Sequence, residues 1–160
     1  MLGREPITCV TTRVTLDARP GQARMVTSGG TPSPGRGTLI VDGANVVGSR
    51  PDGWWRDRPG AARRLLDSLA ARRDALAAAG VERLVLVLEG AARDGAPAGT
   101  RGSVDVVHAT GSGDDEIVAQ CAAHGPGATV VTADRALMQR IRAQDGAVMR
   151  PTDLLALLAS

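Results

Sequence analysis

Acidic residues follow the predicted strands of this sequence one after another. Asp42 and Glu89 each come directly after an apolar run, and Asp134 comes two residues after a third such run. Asp114 and Asp115 open a predicted helix that follows a fourth strand across a Gly/Ser turn. In an open parallel sheet the carboxyl ends of the strands lie at one edge, where ligands bind. The sequence therefore predicts that these carboxylates meet at one edge of a sheet.

Such a cluster of carboxylates needs a compensating partner. Two carboxylates about 4 Å apart repel by about 4 kcal/mol at an effective dielectric constant near 20. Either some of the carboxyl groups stay protonated or a divalent cation binds among them. Oxygen ligands without Cys or His favour Mg²⁺ or Mn²⁺ over zinc. A site of this kind suits hydrolysis of phosphodiester bonds, because the cation activates water and stabilises charge on the phosphate.

Each acidic residue also has a simpler interpretation. Asp134 could be the N-cap of the helix that follows it, and Ser112–Asp115 matches a capping box. Asp42 and Glu89 each precede a Gly, a combination typical of ordinary turns. Turns and helix caps alone, however, do not explain why an acidic residue follows nearly every predicted strand. We therefore favour the shared functional interpretation, chiefly for Asp42, Asp114 and Asp134.

Predicted strands alternate with predicted helices from residue 38 onward. The strands are expected at 38–41, 83–88, 103–109, 128–132 and 147–149, and the helices at 60–79, 114–123, 134–143 and 152–158. A Gly/Ala/Pro/Arg-rich loop is expected at 90–102. This alternation is typical of an α/β fold in which a parallel sheet carries helices on both faces. The order of the strands does not follow from the periodicity.

The chain of 160 residues suffices for one domain and is too short for two. We place that domain at 38–160 and predict that 1–37, which ends in a Gly/Ser/Thr/Pro-rich run, is a flexible extension and linker. Residues 1–24 are either a genuine extension or precede a translation start at Met25. The net charge of +2 divides into +3 for 1–37 and −1 for 38–160. The domain therefore has no strongly basic surface of its own.

Several classes of function are excluded by residues that are missing or far apart. Every basic residue is Arg, and the absence of Lys excludes P-loop phosphate transfer and Schiff-base chemistry. Cys9 and Cys121 are far apart and have no His at ligand spacing, so neither a zinc site nor a disulfide framework is expected. No membrane span or signal peptide is recognised. We expect a soluble, cytoplasmic protein that binds no membrane.

Four segments resemble the motifs of a known family. The segments are V-D-G-A-N-V-V-G at 41–48, G-S-G-D-D-E-I-V at 111–118, V-V-T-A-D-R-A-L at 130–137 and the closing segment at 146–155. They resemble NYN domains, a branch of the PIN-like nucleases, and are most similar to the YacP-like group of bacterial endoribonucleases. The resemblance covers residues 38 to about 158, and it implies a Rossmann-like PIN fold and metal-dependent cleavage of RNA.

The resemblance also implies roles for individual residues. Asp42, Asp114 and Asp134 would bind the metal, with Asp115 able to replace or support its neighbour. Asn45 would orient Asp42 or contact substrate, and Thr132 would contact a carboxylate or a phosphate. Glu89 departs from the pattern, since the acid after the second strand is commonly Asp in YacP-like relatives. We expect Glu89 to join the catalytic set, with a metal contact through water as one arrangement.

Arginines in the loops beside the acidic edge are the candidates for phosphate contacts, because the sequence has no Lys. They are Arg50, Arg56, Arg58, Arg93 and Arg101. Arg suits bidentate binding of phosphate, although Arg in loops often serves solubility alone. We assign Arg50 and Arg56 to substrate binding.

Trp54 and Trp55 are the only aromatic residues, and they precede the first long predicted helix. Adjacent indoles could stack unpaired bases. The alternative is that one ring packs on the start of that helix as a hydrophobic staple. We favour the staple for one ring and assign base stacking to Trp54.

The sequence therefore predicts a single PIN-like α/β domain that acts as a Mg²⁺- or Mn²⁺-dependent endoribonuclease, with RNA as its partner and mRNA on ribosomes as one setting. The first alternative is a non-catalytic RNA-binding or ribosome-associated adaptor that retains the fold. A haloacid-dehalogenase-like phosphatase is a weaker alternative, because it requires D-x-D where position 44 is Ala. An interaction module that forms a homodimer through the Leu-rich C-terminal helix is the last.

Overall fold

Six strands form one sheet at the centre of residues 37–160, the part of the chain that the computed structural model describes. The strands are β1 (Gly37–Asp42), β2 (Val81–Leu88), β3 (Gly99–Arg101), β4 (Val104–His108), β5 (Thr129–Val131) and β6 (Ala147–Met149). Their order across the sheet is β3-β4-β2-β1-β5-β6. All neighbours pair in parallel except β3, which runs antiparallel to β4 at the edge.

Six helices connect and cover the strands. They are α1 (Gly43–Gly48), α2 (Arg58–Ala71), α3 (Arg73–Ala78), α4 (Gly113–His124), α5 (Arg135–Arg142) and α6 (Pro151–Ala159). Two short 3₁₀ segments, Trp54–Arg56 and Gly90–Gly95, lie in the connections that follow α1 and β2. Among residues 37–160, no helix has the length and apolar character that crossing a bilayer requires.

The side chains of the central strands alternate between two hydrophobic clusters, one on each face of the sheet. Leu39 and Val41 of β1 pack with residues of α1, α2, α3 and α6. Ile40, between them in the sequence, packs on the other face with Ile117 of α4 and Ile141 of α5. This is the pattern of a parallel sheet buried on both faces, which explains why the strands read as continuous apolar runs. The α/β class predicted from the sequence, with helices on both faces of a sheet, is confirmed.

Three local predictions were wrong. The helix expected at 60–79 is two helices, because Arg72 leaves helical geometry at φ −104° and ψ 17° between α2 and α3. Helix α1 was not predicted, although it begins directly after β1. The loop expected at 90–102 contains a 3₁₀ segment and β3, which makes the sheet mixed at one edge. Strand β3 has only three residues and all are exposed, so it has no apolar pattern to mark it.

The other predicted elements agree with the structure to within two residues at each end. The extension and linker expected at 1–37 lie outside the described residues, apart from Gly37, which is the first residue of β1. That prediction therefore remains a prediction.

Candidate active site

Asp42 ends β1 at the centre of the sheet, and each oxygen of its buried carboxylate accepts at least one hydrogen bond. The residue is only 4% exposed. Its Oδ1 accepts from the Asn45 backbone N–H at 3.0 Å, and its Oδ2 accepts from Asn45 Nδ2 at 2.9 Å and from Thr132 Oγ1 at 2.9 Å. The first of these bonds makes Asp42 the N-cap of α1. The carboxylate is therefore held in one orientation by α1 and by the segment after β5.

Thr132 and Asn45 extend this network towards Asp134. The Thr132 hydroxyl accepts from the Asp134 N–H at 3.2 Å, and Asn45 Oδ1 accepts from the Ala133 N–H at 3.2 Å. Asp134 Oδ1 accepts from the Leu137 N–H at 2.8 Å, so Asp134 is the N-cap of α5 as the simpler interpretation supposed. The second oxygen of Asp134 makes no hydrogen bond within residues 37–160, so the cap leaves one carboxylate oxygen available.

Glu89 joins the end of β2 to the start of α4. Its Oε2 accepts from the Gly113 N–H at 2.8 Å, across 24 positions of sequence. A Cβ at position 113 would stand 2.6 Å from the same oxygen, which is closer than real Cβ contacts allow. Gly113 therefore lets the longer side chain of Glu89 reach the helix, and this bond positions the first turn of α4, where Asp114 lies. Gly113 is a functional residue that the sequence analysis above misses, although its place directly before two acids at a helix start is a usable signal.

Like charges surround Asp114. Burial raises the pKa of its carboxyl group, and the carboxylates of Asp134, Asp42 and Glu89 raise it further, while Arg140 lowers it. Burial also raises the pKa of Asp42, and Glu89 adds to that effect, whereas the hydrogen bonds from Asn45 and Thr132 oppose it. Asp114 is thus within electrostatic reach of three acids from other parts of the chain. We call Asp42, Glu89, Asp114 and Asp134 the acidic cluster.

The donor chemistry of the acidic cluster fits a hard divalent cation, because all of its ligands are carboxylate oxygens. As the side chains stand, however, no three Asp, Glu, His or Cys groups of residues 37–160 lie close enough to hold one metal ion. The Asp114 carboxylate makes no hydrogen bond to any other described residue, so its rotation towards Asp42 would break none. The acidic cluster therefore has suitable ligands for a cation, but its carboxylates would have to move closer together to bind one.

Asp115 lies apart from the acidic cluster. Its carboxylate forms an ion pair with Arg140 at 2.7 Å, and its side chain is 70% exposed. Successive residues of a helix point about 100° apart, so Asp114 and Asp115 cannot both face the cluster. The capping box at 112–115 that the simpler interpretation offered does not form, because the Ser112 side chain makes no cap hydrogen bond in the structure.

The candidate arginines have three kinds of surroundings. Arg93 donates to the carbonyl oxygens of Gly90 and Ala109, and Arg101 donates to those of Pro97 and Ala98, so both side chains tie down local backbone. The guanidinium carbon of Arg56 lies 5.9 Å from the centre of the Trp55 ring, and that of Arg58 lies 5.5 Å from the centre of a Trp54 ring. Arg50 is half-buried just after α1 and makes no side-chain hydrogen bond within the described part of the chain.

A cleft of about 510 Å³ adjoins the acidic cluster. Its lining includes Trp54, Arg58 and Glu89, together with small residues of α1 and of the loop before α4. Trp54 is half-buried there, whereas Trp55 is 57% exposed and is not part of the lining. The two indoles meet edge to face, with ring centres 6.3 Å apart. The two tryptophans therefore have different surroundings, and the assignment of base stacking to Trp54 remains a prediction.

The fold has a counterpart among solved structures. No protein-family model and no curated protein matches the sequence. The chain is similar to the crystal structure of a Rae1 (YacP) variant from Bacillus subtilis, with a TM-score of 0.59 and 19% identity over 76% of this chain and 74% of that one. The fold is therefore YacP-like. Identity at this level shows the fold alone, but the neighbour bears the name of the group that the motifs resemble.

Proposed function

We propose that the chain is a Mg²⁺- or Mn²⁺-dependent endoribonuclease that hydrolyses phosphodiester bonds of RNA at the acidic cluster. The observation that carries the proposal is the buried Asp42 carboxylate, held by Asn45 and Thr132, with Glu89 and Asp114 within electrostatic reach of it. Asp134 lies within electrostatic reach of Asp114. Grouping like charges in this way costs stability unless a cation balances them. The motifs that resemble YacP-like endoribonucleases and the YacP-like fold support the same function.

Each residue of the site has a proposed role. Asp42, Asp114 and Asp134 would hold the cation, which when bound supplies Lewis-acid stabilisation of charge on the attacked phosphate. Asn45 and Thr132 keep the Asp42 carboxylate from turning away, and Glu89 keeps the first turn of α4 in place. Asp115 is not part of this set, because its ion pair with Arg140 directs it to solvent.

RNA is the proposed substrate, and Arg50, Arg56 and Trp54 are its proposed contacts beside the cluster. The net charge of residues 38–160 is −1, so general electrostatic attraction to RNA is weak. We propose that a larger partner such as the ribosome supplies the remaining affinity.

A non-catalytic RNA-binding protein is the second candidate. It is favoured by the finding that no three potential ligands in the described residues are close enough to hold a metal ion. The two candidates differ in whether the acids are needed for turnover or only for the fold.

The test is incubation of the purified full chain with end-labelled RNA and Mn²⁺ or Mg²⁺, with EDTA as the blank. We expect internal cleavage that EDTA abolishes and that Asp42→Asn lowers at least about 100-fold, because even outer-sphere partners of a metal ligand are worth 10- to 100-fold. Asp74→Asn, at an exposed acid of α3, is the matched control and keeps full activity. RNA binding without turnover, equal in all three proteins, would establish the second candidate.

A further inference from the structure

We propose that the cleft beside the acidic cluster binds one unpaired guanine base, which stacks on Trp54 and donates hydrogen bonds to Glu89. This inference rests on the proposed function, since the guanine would belong to the RNA. It goes further by assigning a base to the cleft and by making that base a determinant of where the RNA is cut.

The lining of the cleft suits a flat aromatic ring. Besides Trp54, Arg58 and Glu89, it includes the small residues Gly43, Ala44 and Gly111. A volume of about 510 Å³ lies within the range of pockets that take small molecules. Small residues let a planar group approach the backbone closely, and every base has a π-face that can stack on an indole.

Trp54 is already held as a stacking surface. The Arg58 guanidinium lies 5.5 Å from the Trp54 ring centre, and the Trp55 ring meets Trp54 edge to face. The Trp54 ring also lies 3.7 Å from the position that a Cβ on Gly48 would take, so α1 limits its movement. A base entering the cleft would therefore find an ordered ring, and it would stack on the face of that ring that Arg58 does not cover.

Glu89 supplies the hydrogen-bond acceptors that distinguish the bases. Its Oε2 already accepts from the Gly113 N–H, which fixes the carboxylate, and its Oε1 has no hydrogen-bond partner among residues 37–160. An ionised carboxylate only accepts hydrogen bonds. Guanine presents two adjacent donors, N1–H and the 2-amino group, on its Watson–Crick edge. Adenine and cytosine present one amino donor beside a ring acceptor, and uracil presents one N–H between two carbonyl groups.

The cleft and the acidic cluster share Glu89. The Glu89 carboxylate is close enough to raise the pKa of both Asp42 and Asp114. A base bound against Glu89 would thus lie directly beside the cluster and fix the register of its RNA strand there. A guanine bound in the cleft would therefore determine which phosphodiester bond of the RNA lies at the acidic cluster.

Intrinsic fluorescence can test this inference without metal or turnover, because the chain has two Trp residues. Trp55→Leu leaves Trp54 as the only reporter, and GMP in EDTA should quench it saturably. IMP lacks only the 2-amino group, and it should compete with GMP at least about tenfold more weakly, the loss expected for one hydrogen bond to a charged group. UMP should compete more weakly still.

Two further variants make the assignment falsifiable. Trp54→Leu leaves the exposed Trp55 as reporter, and GMP should then cause no saturable quenching. Glu89→Gln should keep the Gly113 N–H satisfied through its amide oxygen while turning a donor towards the base, so GMP and IMP should then bind equally. Equal quenching of both single-tryptophan proteins, or equal competition by GMP, IMP and UMP in Trp55→Leu, would overturn the inference.

The outcomes also separate this inference from the proposed function. RNA cleavage by the wild-type chain together with no saturable binding of GMP would reject the guanine site alone. Saturable, Glu89-dependent binding of GMP by a chain that cleaves no RNA would support the guanine site and reject the endoribonuclease.

Discussion

Exchanging each of the two adjacent acids of α4 for Asn tests whether the acidic cluster exists as the structure places it. Asp114 faces three other carboxylates, and Asp115 pairs with Arg140 at the surface. Both lie in the first turn of the same helix, so both lose a similar favourable interaction with the helix dipole when they become Asn. The difference between the two variants therefore reports their surroundings.

The two substitutions should change the free energy of unfolding by different amounts. Interactions between exposed charges are worth about 0.2–1 kcal/mol each. Asp114→Asn removes three repulsions with other carboxylates and one attraction to Arg140, so these charge interactions together stabilise the variant. Asp115→Asn removes an exposed ion pair with Arg140, which destabilises it. Both variants also lose the similar interaction with the helix dipole. We expect Asp114→Asn to be more stable than Asp115→Asn by about 1–2 kcal/mol. For a chain of this size that is about 2–8 °C in melting temperature.

The pH dependence has a defined sign. The pKa of Asp114 is raised in the folded protein by burial and by Asp134, Asp42 and Glu89. A folded-state pKa above the unfolded value means that ionised Asp114 costs stability at neutral pH, and the cost disappears as pH falls through the raised pKa. The stability of Asp114→Asn relative to wild type should therefore be greatest near pH 7 and shrink in acid.

Urea denaturation at pH 7 and at pH 4, without divalent cations, measures these differences. Parallel assays of RNA cleavage should show at least about 100-fold loss for Asp114→Asn and near-wild-type rates for Asp115→Asn. If the two variants were equally destabilised, with no change of their difference between pH 7 and pH 4, Asp114 would not lie among like charges and the reasoning would fail.

Other residues of the site give predictions with independent measurements. Asp134→Ser should keep the N-cap of α5 but lose RNA cleavage. Asp134→Ala should lose RNA cleavage and also about 1 kcal/mol of stability, measured by urea denaturation. If only the Ala variant lost activity, capping would be the sole role of this residue. Thr132→Val should lower the free energy of unfolding by about 1–3 kcal/mol, because it removes the hydroxyl that donates to Asp42 and accepts from the Asp134 N–H. Thr132→Ser keeps a hydroxyl and should retain most of that stability. Equal losses of stability in the Val and Ser variants would contradict the hydrogen-bond network. Gly113→Ala should displace the Glu89 carboxylate and lower the free energy of unfolding of the wild-type protein by about 1 kcal/mol. The same substitution in a Glu89→Ala protein should leave the free energy of unfolding unchanged. If the two substitutions lowered stability additively, the contact would be refuted.

Much of the fold could be predicted because burial on both faces leaves a plain signal in the sequence. The apolar runs of β1, β2 and β5 alternate with helical patterns, and those strands form where they were expected. The break at Arg72 could not be predicted, since Ala- and Arg-rich segments favour helix on both sides of it. Strand β3 could not be predicted either, because its residues are exposed and only pairing with β4 orders them.

The acidic residues of the site could be found from their positions, but their contacts could not. Asp42, Glu89 and Asp134 follow strands, and a parallel sheet brings the ends of its strands to one edge. Which of Asp114 and Asp115 faces the other acids depends on how α4 is rotated on the sheet, and that follows from the packing of Ile117 and Cys121. The resemblance to the YacP-like group implied a metal-binding role for Asp114 and a replacing or supporting role for Asp115.

By itself, the sequence determined an α/β class and a succession of acids after strands, because hydrophobic periodicity and the order of residue types are local properties of the chain. Only the tertiary structure decided that β2 and β5 flank β1, that Thr132 donates to Asp42 across 90 positions, and that Glu89 reaches the Gly113 N–H. These pairings join residues far apart in sequence. They are chosen by the packing of the whole domain, and no local pattern records that choice.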